Sequence, residues 1–209
     1  MTGEPQQVTG HDAPAAPAAP AALGGTEGSA RPQVVVMGVS GCGKTTIGDL
    51  VAHGLGLRFL DGDSLHPVEN VTKMAAGTPL TDEDRWPWLG IVGGELASAG
   101  PDGLVLACSA LRRSYRDAIR AQAPDTVFLH LHGSKEVLGS RLEGRSGHFM
   151  PAALLESQLA TLEPLGADEP GVVVDIAAPV ADVVSDALEG LARLRSVSAG
   201  RSAGKPRAA

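Results

Sequence analysis

Short apolar segments alternate along the chain with longer segments of helical spacing. Five of the apolar segments are rich in β-branched residues and mostly continuous, a pattern typical of strands buried on both faces. They are QVVVMG (33–38), LRFLDG (57–62), LVLACS (104–109), TVFLHLHG (126–133) and GVVVDI (171–176). Because strands that alternate with helices favour a parallel sheet covered by helices, we predict a three-layer α/β fold with five parallel strands.

The segments between these strands place apolar residues on single helical faces. The predicted faces are Trp88, Ile91, Val92, Leu96 and Ala99; Leu154, Leu155, Gln158, Leu159 and Leu162; and Val180, Val183, Val184, Leu188 and Leu191. Thr81 and Asp84 have the spacing of a capping box, which predicts a helix start. Pro151 suits the first turn of another helix.

The two ends of the chain differ from its middle. Residues 1–32 contain APAAPAAPAA and few large aliphatic side chains, so we expect a disordered tail that cannot bury enough apolar surface to fold. Residues 196–209 predict a second, basic and flexible tail. The folded domain is therefore expected over residues 33–195.

Composition limits the class of protein. The chain has 209 residues and a net charge of −7, which disfavours a surface that coats nucleic acid. No apolar run approaches the roughly 20 residues of a membrane span, and no signal peptide is visible at the N-terminus. Cys42 and Cys108 are expected as reduced thiols in the cytoplasm.

A phosphate-binding loop follows the first predicted strand. GVSGCGKT, Gly38 to Thr45, matches G-x-x-x-x-G-K-[ST] and precedes a helical segment. Its glycines allow a tight turn that points backbone N–H groups at phosphate oxygens, and the helix N-terminus adds partial positive charge. Lys44 is suited to the β- and γ-phosphates of a nucleotide, and the Thr45 hydroxyl to Mg²⁺.

GTPases, ATPase motors and small-molecule kinases share such a loop, so the loop alone names no reaction. The core is small for most motors. The sequence also contains no NKxD-like segment for reading guanine. These two observations favour a kinase.

The second strand ends in an acidic segment, DGD. Asp61 and Asp63 lie two positions apart, so an extended segment would place both carboxylates on one face. We expect them at the sheet edge that holds the phosphate loop, where one helps to hold Mg²⁺ and the other accepts a proton from an attacking hydroxyl. The alternative is a common aspartate–glycine turn.

A short polar helix is predicted after Pro67. His66, Asn70, Lys73 and Met74 share one of its faces, which suits a hydroxyl-rich, anionic acceptor. The alternative is an ordinary solvated helix face.

Basic residues from separate segments provide further candidate contacts. They are Arg85, Arg112, Arg113, Arg116, Arg141 and Arg145. Each alone is compatible with a surface position, but an anionic substrate and a transferred phosphoryl group need several fixed positive charges. Arg141, Arg145 and His148 lie where a mobile lid is expected.

Several ordered blocks carry a resemblance to a known family. MGVSGCGKTTIG, DGDSLHPVENVTKMAAGTPLTDEDRWPWL, CSALRRSYRD, RLEGRSGHFMP and SQLATLEPL followed by DEPG resemble gluconokinases of the thermoresistant type. These are small P-loop kinases related to shikimate and adenylate kinases. The resemblance spans residues 33–175.

The resemblance implies a P-loop kinase fold and transfer of a phosphoryl group from ATP to the 6-hydroxyl of D-gluconate, with Mg²⁺, in a cytoplasmic homodimer. It implies catalytic roles for Lys44, Asp63 and Arg145, and a metal site at Thr45 and Asp61. The implied ATP-binding residues are Gly38, Ser40, Gly41, Cys42, Gly43, Lys44, Thr45, Thr46, Arg141 and Arg145. The implied substrate-binding residues are Asp63, His66, Asn70, Lys73, Arg85, Arg112, Arg116 and His148.

Other functions remain open at the level of sequence. A shikimate kinase would typically have a glycine triplet after the third strand, where this chain has CSALRRSYRD. A nucleoside monophosphate kinase would need a base-reading pocket, which the sequence does not reveal. A non-catalytic nucleotide-binding module would not need the acceptor-side Asp63. The third strand also ends without a Walker-B aspartate, and the N-terminal extension lies outside the family pattern.

Overall fold

A single parallel sheet organises the chain. The computed structural model describes residues 31–143 and 152–203. All five predicted strands are confirmed: β1 (Gln33–Met37), β2 (Phe59–Asp61), β3 (Leu104–Ala107), β4 (Val127–His132) and β5 (Gly171–Asp175). Their order in the sheet is β2-β3-β1-β4-β5, with every neighbouring pair parallel. The strand that leads into the phosphate loop is therefore central.

Helices connect the strands and cover both faces of the sheet. They are α1 (Lys44–Leu55), α2 (Val68–Ala75), α3 (Asp82–Ala99), α4 (Arg113–Gln122), α5 (Lys135–Glu143), α6 (Ala152–Thr161) and α7 (Val180–Ala203). The predicted capping box at the start of α3 is confirmed: the Thr81 hydroxyl accepts from the Asp84 N–H, and the Asp84 carboxylate accepts from the Thr81 N–H.

The alternation of side chains along β1 divides the core into two halves. Val34 and Val36 pack with residues of α1 and α7, whereas Val35 and Met37 pack with residues of α3 and α4. All four side chains are fully buried. This burial on both faces explains why β1 is continuously apolar, and it confirms the three-layer fold.

Some helix positions differ from the predicted apolar faces. Trp88, Val92 and Leu96 are buried as expected, but Ile91 is 42% exposed. Ile91 is one position from Val92, so it points away from the sheet while its neighbour packs against it. The buried face of α3 is therefore narrower than the face predicted from the sequence.

The ends of the described chain extend the predicted domain. Helix α7 continues to Ala203, so it runs into the segment that the sequence predicted as a tail from residue 196. At the other end, Arg31 donates to the Gly56 carbonyl at 2.8 Å, and its N–H to the Pro101 carbonyl at 3.1 Å. Most of the predicted N-terminal tail, residues 1–30, lies outside the described residues, as do 204–209.

The two thiols confirm the prediction of unpaired cysteines. Cys42 and Cys108 are free and buried, and they belong to the two different halves of the core. In the described ranges, 31–143 and 152–203, no helix is both long and apolar enough to cross a bilayer.

Candidate active site

The phosphate loop has the conformation that its glycines predict. Gly38, Gly41 and Gly43 all take positive φ angles, of 139°, 82° and 97°. A side chain on Gly41 would also lie 2.7 Å from Leu142 of α5, so glycine is needed there for both backbone and space. Gly43 of the loop is the N-cap of α1, so the last loop residues, Lys44 and Thr45, form the start of the helix.

Eight of the ten implied ATP-binding residues lie in this loop and the first turn of α1. They are Gly38, Ser40, Gly41, Cys42, Gly43, Lys44, Thr45 and Thr46. The Lys44 ammonium group donates to the carbonyls of Gly38 and Val39, at 3.1 and 3.2 Å, and so lies across the loop. This concentrates one positive charge and several N–H groups in a small volume.

A hydrogen bond joins the loop to the acidic segment. The Thr45 hydroxyl donates to the Asp61 carboxylate at 2.9 Å, although the residues are 16 positions apart. The pairing of β2 with β3, and of β3 with β1, brings the carboxyl end of β2 to the edge that holds the loop. The predicted proximity of the two segments is therefore confirmed.

The acidic segment turns instead of staying extended. Asp61 is the N-cap of a short 3-10 helix, Gly62–Leu65, and its carboxylate accepts from the Asp63 N–H at 3.1 Å. A Cβ on Gly62 would lie 2.4 Å from the Ala107 carbonyl oxygen, so only glycine fits. The prediction of an extended segment is wrong beyond Asp61, because the chain must turn away from β3. The turn leaves Asp63 exposed at the same edge.

Trp88 of α3 supports this turn from behind, a role that its apolar helix face did not reveal. Its buried indole N–H donates to the Gly62 carbonyl at 2.8 Å. Its ring stacks on His66, with 4.1 Å between centroids and 15° between planes. Burial lowers the pKa of His66; the nearby Arg85 adds to this and Asp63 opposes it. The His66 imidazole is therefore neutral near pH 7.

The polar face of α2 is occupied by internal contacts. Asn70 is 3% exposed; its amide nitrogen donates to the Asp84 carbonyl at 2.8 Å and lies 3.3 Å from Nδ1 of His66. The Lys73 ammonium group binds the Asp84 carboxylate at 2.6 Å. These contacts fix α2 against the start of α3. The alternative of an ordinary solvated face therefore does not describe Asn70.

A cationic cluster lies where α3 and α4 begin. The Asp82 carboxylate accepts from Arg112 at 2.6 Å, from the Tyr115 hydroxyl at 2.6 Å and from Arg85 at 3.4 Å. Both guanidinium groups lie over the Tyr115 ring, at 5.8 Å for Arg85 and 5.7 Å for Arg112. Two cations share one carboxylate, so the cluster keeps an excess of positive charge.

Arg116 has a different environment from the one predicted. It is fully buried, and Glu169 accepts two hydrogen bonds from it, at 2.6 and 2.9 Å. Its remaining donors bind the backbone carbonyls of residues 110, 111, 163 and 164. No donor is left for a ligand, so the prediction that Arg116 contacts substrate is wrong. Arg116 instead fixes the loop after β3, in which Ala110 takes a φ of 42°.

Two further basic residues follow different patterns. Arg113 lies beside the cluster but pairs with Asp117 and Asp168 on the surface. Arg141 of α5 donates to the carbonyls of Cys42 and Ile176, and so spans the phosphate loop and the segment after β5. Arg145, His148 and Pro151, with the predicted lid, lie outside the described residues.

The oxygen atoms of Thr45 and Asp61 suit Mg²⁺. This ion prefers oxygen ligands and commonly binds through one or two protein groups, with phosphates and water completing its shell. Within residues 31–143 and 152–203, no cluster of three or more histidine, cysteine or acidic side chains suits a metal ion.

Several known proteins are similar to this chain in sequence. The family described as shikimate kinase matches residues 40–158. The gluconokinase of Gluconobacter oxydans (strain 621H) is 53% identical over 144 residues, which cover 68% of this chain and 80% of that protein. The thermoresistant gluconokinase of Escherichia coli (strain K12) is 45% identical over 158 residues, covering 74% and 90%.

A solved structure agrees with these relatives. The crystal structure of a gluconokinase from Sinorhizobium meliloti 1021 has a TM-score of 0.78 and 49% sequence identity, and it covers 83% of this chain and 99% of that one. The matches confirm the predicted family and P-loop kinase fold. The chain therefore belongs to the gluconokinases of the shikimate kinase family and is an ATP-dependent kinase.

Proposed function

We propose that this kinase transfers the γ-phosphoryl group of ATP to the 6-hydroxyl of D-gluconate, giving 6-phospho-D-gluconate. The observation that carries the proposal is the hydrogen bond between Thr45 and Asp61, because it brings the phosphate loop within reach of an acidic turn. Asp63 is exposed on that turn. The names of the similar proteins supply the acceptor.

The nucleotide binds to the loop. Backbone N–H groups from Gly41 to Thr45 surround the phosphates, and the α1 N-terminus adds partial positive charge. Lys44 exchanges its contacts with loop carbonyls for phosphate oxygens. Arg141 lies within reach of the nucleotide because it already contacts Cys42 and Ile176.

Thr45 and Asp61 would hold Mg²⁺ together with the phosphates. When bound, the ion neutralises charge on the transferred phosphoryl group. Asp61 has a second task, because the same carboxylate caps the turn that carries Asp63. The metal-binding residue and the acceptor-side aspartate are thus fixed relative to each other.

The acceptor lies between Asp63 and the cationic cluster. Asp63 accepts the proton of the attacking hydroxyl, which orients its oxygen toward phosphorus. Arg85 and Arg112 bind the carboxylate at the other end of the acceptor, and both are orientated by Asp82. The neutral His66 offers a hydrogen bond to a sugar hydroxyl.

The experiment is ATP consumption by the purified protein with Mg²⁺, with gluconate, shikimate, AMP or no acceptor in parallel. We expect turnover with gluconate alone, and a product whose ³¹P and ¹³C spectra place the phosphate on the 6-oxygen. Turnover with shikimate alone would replace the acceptor, and phosphate on another hydroxyl would replace the site of transfer. Equal ATP hydrolysis in all arms would contradict the proposal.

We also propose that the enzyme works as a cytoplasmic homodimer. Apolar side chains exposed on α2 support a contact with a second copy, since Val68 is 76% exposed and Val71 49%. Light scattering of the purified protein tests the assembly, with a monomer as the contradicting result.

A further inference from the structure

A glutamine from α6 holds one residue of the phosphate loop at two points. The Ser40 N–H donates to the side-chain oxygen of Gln158 at 2.6 Å. The side-chain nitrogen of Gln158 donates to the Ser40 hydroxyl at 3.1 Å. The residues are 118 positions apart, and both ends of one amide group are used on one residue.

Gln158 is polar on an otherwise apolar helix face. Leu155, on the same face, is 4% exposed, and Leu159 packs against the same half of the core. Gln158 is part-buried, and an amide withdrawn from water costs free energy unless it finds hydrogen-bond partners. Ser40 provides a partner for each end of this amide. The amide group is therefore matched to Ser40 in both directions, as donor and as acceptor.

The segment after Gln158 is firmly attached to the acceptor side of the site. The Glu163 carboxylate accepts from the Arg113 N–H at 2.6 Å, and the Glu163 N–H donates to the Leu111 carbonyl at 2.8 Å. Arg116 adds a hydrogen bond to the Glu163 carbonyl. Gln158 therefore binds the loop from a segment that is itself held in place by hydrogen bonds.

We propose that Gln158 is a positioning residue for phosphoryl transfer. Its oxygen takes the Ser40 N–H, so that this group is turned away from the phosphates and the N–H groups after it form the phosphate cradle. Ser40 then acts through Gln158 and does not bind the nucleotide itself. An amide suits this place because a carboxylate would repel phosphate oxygens. The inference rests on ATP binding to this loop, as proposed above.

The first test replaces Gln158 with methionine, which keeps the length of the side chain and removes both hydrogen bonds. We expect kcat/KM for ATP to fall about tenfold to a hundredfold, because small displacements of a catalytic group have effects of this size. KM for gluconate should stay within about twofold of the wild-type value, and Tm within a few degrees. Gln158→Glu should also be impaired, since it keeps the acceptor but adds charge.

The matched control is Glu156→Gln on the same helix. Glu156 is exposed, and among the described residues its ion-pair partner is Lys135, at 2.6 Å, so its replacement should leave kcat and both KM values unchanged. A double-mutant cycle gives a second readout. Ser40→Ala keeps the N–H contact and removes only the hydroxyl contact, so it should reduce kcat/KM for ATP less than Gln158→Met does. It should have no further effect in Gln158→Met, where both contacts are already lost.

Two results would overturn the proposal. One is a Gln158→Met enzyme with kcat/KM for ATP within twofold of wild type. The other is a fall in Tm together with a similar rise in both KM values, which would make Gln158 a packing residue only. Failure of the proposed acceptor would appear in the wild type, as absent gluconate turnover. Calorimetry with Mg²⁺ and ADP would then still test Gln158, with weaker binding by Gln158→Met expected.

Discussion

The phosphate loop and the proposed acceptor side of the site are built in opposite ways. The loop is a contiguous segment, 38–45, whose working groups are mostly backbone N–H groups at a helix N-terminus. The acceptor side uses side chains from α2, α3 and α4, and its cations already have acidic partners, as in Lys73–Asp84 and Arg112–Asp82. The phosphate loop depends on backbone conformation, and the acceptor side depends on paired charges.

This difference predicts different sensitivities. A backbone site tolerates changes in most side chains, because its N–H groups remain when a side chain is replaced. A site of paired side chains loses orientation when either partner changes. We therefore expect Asp82 and Asp84 to affect binding of the proposed acceptor without contacting it.

The largest expected effect separates chemistry from nucleotide binding. Asp63→Ala should lower kcat by up to about ten-thousandfold, because the attacking hydroxyl loses its proton acceptor. Affinity for Mg²⁺ and ADP, measured by calorimetry, should remain close to wild type. Glu69→Gln, a change at an exposed position on α2, serves as the control. A near-normal kcat in Asp63→Ala would remove Asp63 from the mechanism.

The next effect is on stability. Arg116→Met should lower the free energy of unfolding by about 3–5 kcal/mol, because the buried Glu169 carboxylate loses both hydrogen bonds from Arg116. Denaturant titration measures this. The exposed pair of Arg193 and Glu189 is the control, and Arg193→Ala should change stability by less than about 1 kcal/mol. Equal losses in the two variants would contradict the structural role of Arg116.

A smaller effect concerns affinity for the acceptor. Arg112→Ala should raise KM for gluconate about tenfold to a hundredfold, the range of a lost charge-assisted hydrogen bond, while KM for ATP stays unchanged. The neighbouring Arg113→Ala is the control, because Arg113 pairs with Asp168 on the surface. If both variants behave alike, the cluster around Asp82 does not bind the acceptor.

The smallest effect is a dependence of stability on pH. Burial lowers the pKa of His130 in β4 from 6.5 to about 4, and the nearby charges of His132 and Arg116 add to this. The unfolded chain then binds a proton that the folded chain excludes, so stability falls as pH drops from 6.5 toward 4. His130→Phe should weaken this dependence in Tm measurements, and an unchanged slope would contradict it.

Much of the phosphate loop was predictable because the residues that determine it are consecutive in the sequence. The strand, the glycines, Lys44 and Thr45 follow one another, and only local backbone rules are needed to place them. The capping box at Thr81 was predictable for the same reason.

The proposed acceptor side was less predictable because its residues pair with residues that are far away in the sequence. Arg112 and Arg116 have the same charge and lie one helical turn apart, yet one is part-exposed near Asp82 and the other is buried on Glu169. Nothing local distinguishes them. Trp88 and Gln158 lie on faces that the apolar pattern marks as core, so their hydrogen bonds to Gly62 and Ser40 had no sequence signal.

The burial of Cys42 has a consequence for chemical damage. Its thiol lies inside the phosphate loop, where burial raises the pKa while Lys44 and Arg141 oppose the shift. Oxidants and alkylating reagents react with the thiolate form, and the raised pKa disfavours that form. The Cys42 side chain is also buried, so such reagents do not reach it. The burial of Cys42 therefore disfavours oxidation of the phosphate loop.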